Sequence, residues 1–414
     1  MELRPGYKQT EVGAIPIAWD VKPLSALPCK VIDCHHSTPV WTSSGVVVIR
    51  NQNIRAGKLD LTEPSYTDEK HYRERVRRAL PAHPDLVITR EAPMGQVCMI
   101  SPELKCCLGQ RMVLLRIRQE FANSLYVLYA LQAEQVQRAI AIAGGTGSTV
   151  SNLRIPVLKS LPIPTPDRRE QRAIAEALSD VDALLGVLDQ FIAKKRDLKQ
   201  AAMQQLLTGQ TRLPGFAGEW VAKPLGRVAD IKSGGTPSTS QPHFWNGDVP
   251  WCTPTDITAL RGRKYLTNAA RTISATGLQA SSAEVIAPRS LIMTSRATIG
   301  ECAINLVPMT TNQGFKNLVP FAEIDVEFLY YLMTTQKSGL IALCGGSTFL
   351  EIGKKQLIAY EVKLPQALPE QAAIATILSD MDTELTALEA RRDKTRSLKQ
   401  AMMQELLTGR TRLV

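Results

Sequence analysis

Two segments of this chain, one two hundred residues after the other, carry almost the same sequence. Residues 170–213 and 370–413 align without a gap and share 26 of 44 positions. In both, apolar residues recur at alternating steps of four and three, the heptad pattern of a coiled-coil helix. Such a repeat requires two equivalent helices in two equivalent surroundings. The predicted seam consists of Ile174, Leu178, Val181, Leu185, Leu188, Ile374, Leu378, Met381, Leu385 and Leu388.

The segments before each repeated helix also resemble each other, more faintly. "LVITREAPMG" (86–95) matches "LIMTSRATIG" (291–300). Short β-branched runs alternate there with helical patterns, which predicts globular domains of mixed α/β (α+β) class. We therefore expect a first globular domain over 1–165, a central helix over 166–211, a second globular domain over 212–366 and a distal helix over 367–414.

Connectivity predicts how the two helices pair. A helix of forty-odd residues spans about 60 Å. Because the termini of a domain are usually close together, the second helix has to return along the first. We expect two long antiparallel helices forming a coiled coil, with a globular domain at each end and a pseudo-two-fold internal repeat.

Charge is distributed unevenly along the chain. The formal net charge is +10 over 414 residues. Residues 1–167 hold 20 basic against 15 acidic residues, and 213–367 hold 14 against 11. Basic globular segments suit a polyanion such as DNA. No apolar run of about 18 residues and no apolar signal segment occurs, so we expect a soluble, cytoplasmic protein without a membrane partner.

Residues that could support metal binding or catalysis are few. Cys29, Cys34 and the two histidines that follow could supply metal ligands, but the scattered cysteines favour reduced thiols and no metal site. Asp85 with Glu103 and Lys105 has the composition of a nuclease site, yet Ser290 stands where the repeat would place Asp85. There is no Pro-Pro pair of the kind found in adenine methyltransferases and no phosphate-binding loop. We expect no catalytic residues.

Several short motifs, in this order and duplicated, resemble the specificity (S) subunit of Type I restriction–modification systems across essentially the whole chain. They are "CLGQRMVLL" (107–115), "SGGTPS" (233–238), "VPWCTPTDI" (249–257), "TNQGFKNLVP" (311–320) and the helix ends "LLTGQTRL" and "LLTGRTRL". The resemblance implies two target-recognition domains, each reading one half of a bipartite, asymmetric site in double-stranded DNA.

The same resemblance implies the partners. The paired helices would set the spacing between the half-sites and dock two methyltransferase (M) subunits, which carry S-adenosylmethionine. Restriction (R) subunits, which use ATP and Mg, would join the full complex. This chain would hold no cofactor of its own and would contribute DNA specificity without catalysis.

Candidate DNA contacts follow from the chemistry of base reading, which uses arginine for guanine and asparagine or glutamine for adenine. "IRNQNIR" (49–55) concentrates such groups after a strand, and its counterpart by position is "WCTPTDI" (251–257). The glycine-rich turns near 145 and 346 could bind phosphate. The candidates are Arg50, Asn51, Gln52, Asn53, Arg55, Arg90, Gln110, Arg111, Gly145, Ser148, Lys232, Thr236, Trp251, Thr253, Thr255, Asp256, Arg296, Asn312, Gln313, Lys316, Gly346, Ser347 and Thr348.

Other roles remain open for these residues. The polar residues of 49–55 and the glycine turns could satisfy their own backbone, and Arg90 and Arg296 could form structural ion pairs. The arginines of "HYRERVRRAL" (71–80) fit either a solvated helix or a DNA contact. For the whole chain, the alternative is a coiled-coil scaffold that pairs two protein-binding domains. That alternative explains the helices but not the basic flanking domains.

Overall fold

The computed structural model describes residues 4–143, 152–344 and 350–413, and it divides into two compact units. The first unit is Met1–Asp189 with Ala390–Val414, and the second is Gln190–Glu389. Each unit therefore combines one globular segment with part of each long helix. Within the described residues, no helix has both the length and the apolar character needed to cross a membrane.

The elements of the first globular segment come before the first long helix. The strands are β1 Tyr7–Thr10, β2 Gly13–Pro16, β3 Asp20–Pro23, β4 Cys29–Asp33, β5 Val46–Ile49, β6 Ile54–Arg55, β7 Lys58–Leu59, β8 Ser65–Thr67, β9 Leu86–Thr89, β10 Val97–Met99, β11 Cys106–Leu108, β12 Met112–Ile117 and β13 Pro162–Thr165. The helices are α1 Glu69–Arg75, α2 Ser124–Gln132, α3 Glu134–Ala143, α4 Ile155–Ser160 and the long α5 Arg168–Leu206.

The second globular segment repeats this order. Its strands are β14 Val221–Pro224, β15 Ala229–Ser233, β16 Trp245–Cys252, β17 Tyr265–Leu266, β18 Arg271–Ile273, β19 Leu291–Met293, β20 Cys302–Asn305, β21 Thr310–Thr311, β22 Lys316–Pro320 and β23 Glu361–Leu364. Its helices are α6 Pro254–Ala259, α7 Ala275–Gln279, α8 Val326–Thr335, α9 Lys337–Ala342, α10 Lys354–Ala359 and the long α11 Leu368–Leu406. The predicted domain boundaries stay predictions.

Both units contain a larger and a smaller sheet in matching strand order, and the larger sheet of the second unit has one additional strand. In the first unit the strand orders are β10-β9-β12-β4 and β11-β5-β8, and in the second they are β17-β20-β19-β22-β15 and β21-β16-β18. In each smaller sheet the central strand pairs parallel to one neighbour and antiparallel to the other. The mixed α/β class and the internal repeat predicted from sequence are confirmed.

The cores explain why these segments fold as they do. β9 and β19 are mainly apolar runs buried at every position, as expected of central strands covered on both faces. Helix α2 begins at the cap Asn123, whose side chain accepts from the backbone N–H of Tyr126, and α8 begins at the equivalent cap Asp325. Both helices then bury an aromatic-rich face against the larger sheet of their unit.

Ion pairs within each unit show the direction of the two long helices. In the first unit, Lys399 near the end of α11 pairs with Asp182 near the start of α5 at 2.8 Å. In the second unit, Lys195 on the later part of α5 pairs with Glu384 on the earlier part of α11 at 2.7 Å. The end of one helix thus lies beside the start of the other in both units, and the predicted antiparallel pairing is confirmed.

The heptad seam is only partly a helix-to-helix contact. Ile174 and Leu178 pack into the globular core of the first unit, as Ile374 and Leu378 do in the second. Leu185, Leu188 and Leu385 are buried farther along. Val181, Met381 and Leu388, predicted as seam residues, are only half-buried, and Ile192 is buried although the prediction omitted it. The first turns of the seam pack against a globular core, so only the later seam residues are available for contact between the helices.

A buried carboxylate explains why the two helices share their first and last residues. Glu170 at the start of α5 is fully buried and accepts from Trp19 Nε1 at 2.8 Å and from Arg412 Nη2 at 2.8 Å. Arg412 belongs to the "TRL" that ends the second repeat. The repeated glutamate therefore binds the repeated arginine of the opposite helix, an arrangement we call the Glu–Arg lock.

The second unit contains the matching lock. Glu370, also buried, accepts from Arg212 Nε at 2.6 Å and Nη2 at 2.8 Å, and Trp220 Nε1 lies 3.4 Å away. Next to each lock, the glutamine that follows the glutamate accepts from the backbone N–H of the cap of α2 or α8. The shared glutamate, glutamine and arginine thus hold each globular segment to both helix ends.

A carboxylate on α8 makes the second unit sensitive to acid. Glu327 accepts from Lys264 Nζ at 2.7 Å, Tyr265 Oη at 2.6 Å and Ser379 Oγ at 3.1 Å. Burial alone would raise its pKa, but the hydrogen bonds from Lys264 and Tyr265 outweigh burial and lower the pKa from 4.5 to about 2. The ionised form is therefore the one that the folded state stabilises.

We expect Glu327 to contribute stability above about pH 4.5 that is lost as the pH falls towards 2, because protonation breaks these bonds. With partial solvent screening, this contribution amounts to about 2 kcal/mol. Urea unfolding from pH 7 to pH 2.5 checks it. Glu327→Gln should reduce the loss of unfolding free energy of the second unit between pH 4.5 and pH 2.5. Glu323→Gln, on an exposed carboxylate, should leave that loss unchanged. An equal loss of stability at low pH in both variants would contradict the role assigned to Glu327.

Candidate nucleic-acid interface

The smaller sheet of the first unit brings two distant polar segments together. β5 and β11 are parallel, with Ile49 opposite Leu108, and parallel strands end at the same edge of a sheet. Residues 50–53 follow β5, and residues 109–111 follow β11. We call these two segments the first polar edge. They line an open cavity of about 410 Å³ together with Trp41, Pro39 and Pro93.

Two arginines of the first polar edge are held by neighbours. The Arg50 guanidinium lies over the Trp41 ring, 4.9 Å from its centroid, and Nη1 donates to Ser65 Oγ at 3.3 Å. Arg111 Nε lies 2.7 Å from Glu91 Oε2, and the Arg111 side chain is 54% exposed. Both guanidinium groups are therefore oriented while remaining open to a ligand.

Amide side chains complete the first polar edge. Gln110 Oε1 accepts from Thr38 Oγ1 at 3.1 Å. Asn51 Nδ2 donates to the backbone carbonyls of Glu91 and Ala92 at 3.1 and 3.2 Å. Gln52 is exposed. These contacts tie the loop at 91–92 to the residues after β5, so the edge is a connected surface.

The second unit contains a matching edge. β16 and β21 are parallel, with Cys252 opposite Thr311, and they end at residues 253–256 and 312–314, the second polar edge. Gln313 is exposed and accepts from Thr236 Oγ1, and Thr255 is exposed on the first turn of α6. Asn312 Oδ1 accepts from the Gly314 N–H at 2.9 Å.

Two glycines allow the second polar edge to form. A Cβ on Gly234 would lie 1.8 Å from the carbonyl oxygen of Asn312, and one on Gly235 would lie 2.3 Å from the Ala283 nitrogen. Real Cβ atoms do not approach so closely. The glycines of "SGGTPS" therefore let the chain after β15 pass directly behind the residues that follow β21.

The comparisons with known proteins agree with this duplicated architecture. The family model described as "Type I restriction modification DNA specificity domain" matches residues 41–194 and 217–395, most of the chain and once in each half. The chain belongs to that family. The predicted recognition of a specificity subunit is confirmed, and so is the prediction that the chain is not an enzyme, since the family comprises DNA-specificity subunits.

Among similar proteins, the Type I restriction enzyme MjaIX specificity subunit of Methanocaldococcus jannaschii is 38% identical over 40% of this chain and 38% of its own length. The putative MjaX specificity subunit of the same organism is 24% identical over 98% of this chain and 97% of that protein. The solved structure of a Type I restriction-modification S subunit from M. genitalium covers 98% of both chains with a TM-score of 0.58 at 17% identity, so it shares the fold.

Within this specificity subunit, some predicted DNA contacts of the first unit have internal roles instead. Asn53 is buried, accepts from the Arg50 N–H at 2.9 Å and donates to the Asp60 carbonyl at 3.0 Å. Arg90 pairs with Asp33 at 3.1 Å and donates to the Leu153 carbonyl at 3.2 Å. The polar groups of both side chains are bound to neighbouring loops, which corrects the prediction that these two residues contact DNA.

Four predicted contacts of the second unit are corrected in the same way. Trp251 is buried and donates to the Gly235 carbonyl at 2.9 Å. Asp256 is buried and accepts from the N–H and the hydroxyl of Thr253, both at 2.7 Å, so the two residues cap α6. Lys316 is buried, and burial lowers the pKa of its amine, with Glu351 3.7 Å away.

The capping contacts also correct the alignment of the two edges. Asn53 and Asp256 each accept from the backbone N–H three residues earlier, at Arg50 and Thr253. Arg50 therefore corresponds to Thr253, one residue later than the match by sequence position. By the strand register, Arg111 corresponds to Gly314.

The remaining candidates lie on the surface or outside the described residues. Arg55, Lys232 and Arg296 form exposed or half-exposed ion pairs with Asp60, Glu284 and Glu351 at 3.3, 3.3 and 2.9 Å. They stay predictions. Outside the described residues lie Gly145, Ser148, Gly346, Ser347 and Thr348.

The predicted contacts included Trp251 but omitted Trp41 and Trp245, which also hold arginines. Trp41 lies under Arg50, and in the second unit the Arg271 guanidinium lies over Trp245, 4.1 Å from the ring centroid. A signal existed, because only five tryptophans occur in the chain and Trp41 is followed by a small polar turn. Arg75 was also misjudged: it is buried and donates to the Leu108, Ser37 and His35 carbonyls, which fixes the end of β11.

Two residue groups considered for metal or catalysis have structural partners. Asp33, Cys34 and His36 place potential ligand atoms within 4.8 Å of one another, but Asp33 already pairs with Arg90, and burial raises the pKa of the Cys34 thiol. Asp85 is buried and accepts from Arg116 at 2.6 and 2.9 Å. Lys105 pairs with Glu69 at 2.8 Å.

Proposed function

We propose that the two units of this specificity subunit each read one half of a bipartite, asymmetric sequence in double-stranded DNA. The observation that carries the proposal is the duplicated polar edge. In both units, two parallel strands deliver amide, hydroxyl or guanidinium groups to one open surface. Such groups read base edges in the major groove. The two edges differ in sequence, which supports an asymmetric target.

Charge supports the same proposal. Both globular segments carry more basic than acidic residues, and phosphate contacts supply much of the affinity of a DNA-binding protein. The proposed location is the cytoplasm, where chromosomal DNA is accessible in a prokaryotic cell.

The long helices supply the proposed partner surface. Exposed apolar side chains lie on α5 in both units: Leu184 and Val187 in the first, Phe191 and Leu198 in the second. Apolar residues left open on a helix are typical of a protein interface. We propose that the helices set the spacing of the half-sites and dock two M subunits, which would bring S-adenosylmethionine. R subunits would bring ATP- and Mg-dependent chemistry to the complex.

The test uses matched glutamines of the two edges. The complex with the M subunits is assembled, and its methylated motif is mapped across a genome. Gln110→Ala should relax recognition in one half of the motif and Gln313→Ala in the other, each with a loss of about 5- to 100-fold in affinity for the mapped site. Gln200→Ala, on an exposed position of α5, is the control. A scaffold without a DNA role predicts no sequence-dependent DNA retention for any variant.

A further inference from the structure

The two polar edges differ in one chemical respect. The first carries two guanidinium groups, Arg50 and Arg111, which line its cavity. At the structurally equivalent positions, the second edge carries Thr253, whose hydroxyl is bound to Asp256, and Gly314, which has no side chain. At these two positions, only the first edge can donate two hydrogen bonds from one guanidinium to a pair of acceptors.

Guanine is the base that this chemistry recognises. Its major-groove edge presents two acceptors, O6 and N7, at a spacing that matches the fork of an arginine. Adenine presents an acceptor beside a donor there, and a guanidinium has donors only. A pair of arginines at one edge thus selects for guanine over adenine at the positions they reach.

The structure shows how Arg111 is oriented for such a contact. Its Nε lies 2.7 Å from Glu91 Oε2, and the Glu91 side chain is 24% exposed. An arginine paired through Nε keeps four N–H donors on its two terminal nitrogens, which is the fork that guanine requires. Glu91 in turn belongs to the loop that Asn51 holds through the carbonyls of residues 91 and 92. The guanidinium is therefore held by a carboxylate that itself belongs to a tethered loop.

Resting on the proposed function, we propose that the half-site read by the first unit contains a guanine contacted by Arg111, and that Glu91 is the positioning residue for this contact. Arg50, stacked on Trp41, reaches the same surface and contributes a second donor group. The half-site read by the second unit does not depend on an arginine at these positions.

The experiment tests whether the Arg111 side chain contacts the N7 atom of a guanine. The methylated motif is first mapped with the wild-type complex, and the affected half is assigned with Arg111→Ala. Binding is then measured on duplexes in which each guanine of that half is replaced in turn by 7-deazaguanine, which lacks the N7 acceptor. At one position we expect the wild type to lose about tenfold in affinity and Arg111→Ala to lose nothing further.

Three variants test the positioning role of Glu91 and the specificity of the Arg111 effect. Glu91→Ala should abolish the sensitivity to 7-deazaguanine at that position, and Glu91→Asp should restore part of it, whereas a merely structural loss would weaken all positions of the half alike. Arg77→Ala, which removes an exposed charge from the same unit, should keep the full sensitivity. If no guanine occurs in the affected half, or if 7-deazaguanine weakens Arg111→Ala as much as the wild type, this inference is overturned. If the wild-type complex methylates no bipartite motif, the proposed function fails as well.

Discussion

Arg412→Ala is expected to lower the free energy of unfolding of the first unit by about 3 kcal/mol, because it leaves the Glu170 carboxylate buried without its cation. The hydrogen bond from Trp19 remains but does not neutralise the charge. The loss is large for a substitution only two residues before the last position of the sequence. Urea or thermal unfolding followed by tryptophan fluorescence measures it, since Trp19 lies in the lock.

The neighbouring arginine supplies the control. Arg410 is 63% exposed in its side chain and lies 3.8 Å from Glu405, a surface pair worth little. Arg410→Ala should therefore change stability by less than about 0.5 kcal/mol. The double variant Glu170→Gln with Arg412→Ala should recover part of the loss by removing the buried charge. Equal stabilities of Arg412→Ala and Arg410→Ala would show that the Glu–Arg lock does not stabilise the unit.

Gly234→Ala is expected to disrupt the second polar edge, because its Cβ would lie 1.8 Å from the Asn312 carbonyl oxygen. Backbone cannot rotate aside as a long side chain can, so the residues after β21 must shift. We expect a destabilisation of about 3 kcal/mol, comparable to a severe steric substitution. Where the variant remains folded, recognition should fail in the half-site proposed for the second unit and persist in the other.

A second glycine serves as the control, because its substitution by alanine should raise stability instead of lowering it. Gly186 lies within α5, and an added Cβ there would meet nothing within 4 Å. Gly186→Ala should therefore stabilise the helix by about 0.5–1 kcal/mol, through helix propensity and reduced freedom of the unfolded chain. Should Gly234→Ala match the stability and motif of the wild type, the close approach of the two loops would not hold in solution.

Sequence alone determined the architecture, because its signals are periodic or repeated. The heptad steps from Ile174 to Leu188 predicted long helices, and runs such as residues 86–89 predicted buried strands. The length of the helices, with domain termini that lie close together, predicted the antiparallel return. The family resemblance followed from motifs in a fixed order. Each of these signals depends on the spacing of residues along the chain, which the sequence shows directly.

Tertiary structure alone decided which polar residues are available to DNA. Asn51 and Asn53 are two residues apart in one motif, yet Asn51 belongs to the open edge and Asn53 is buried under it. Glu170 gave no sign that its partner stands 242 positions later at Arg412. The physical reason is the same in both cases. Whether a polar side chain faces solvent or a hydrogen-bonding partner depends on which distant segments the strands and helices bring beside it, and residue type and spacing do not record that.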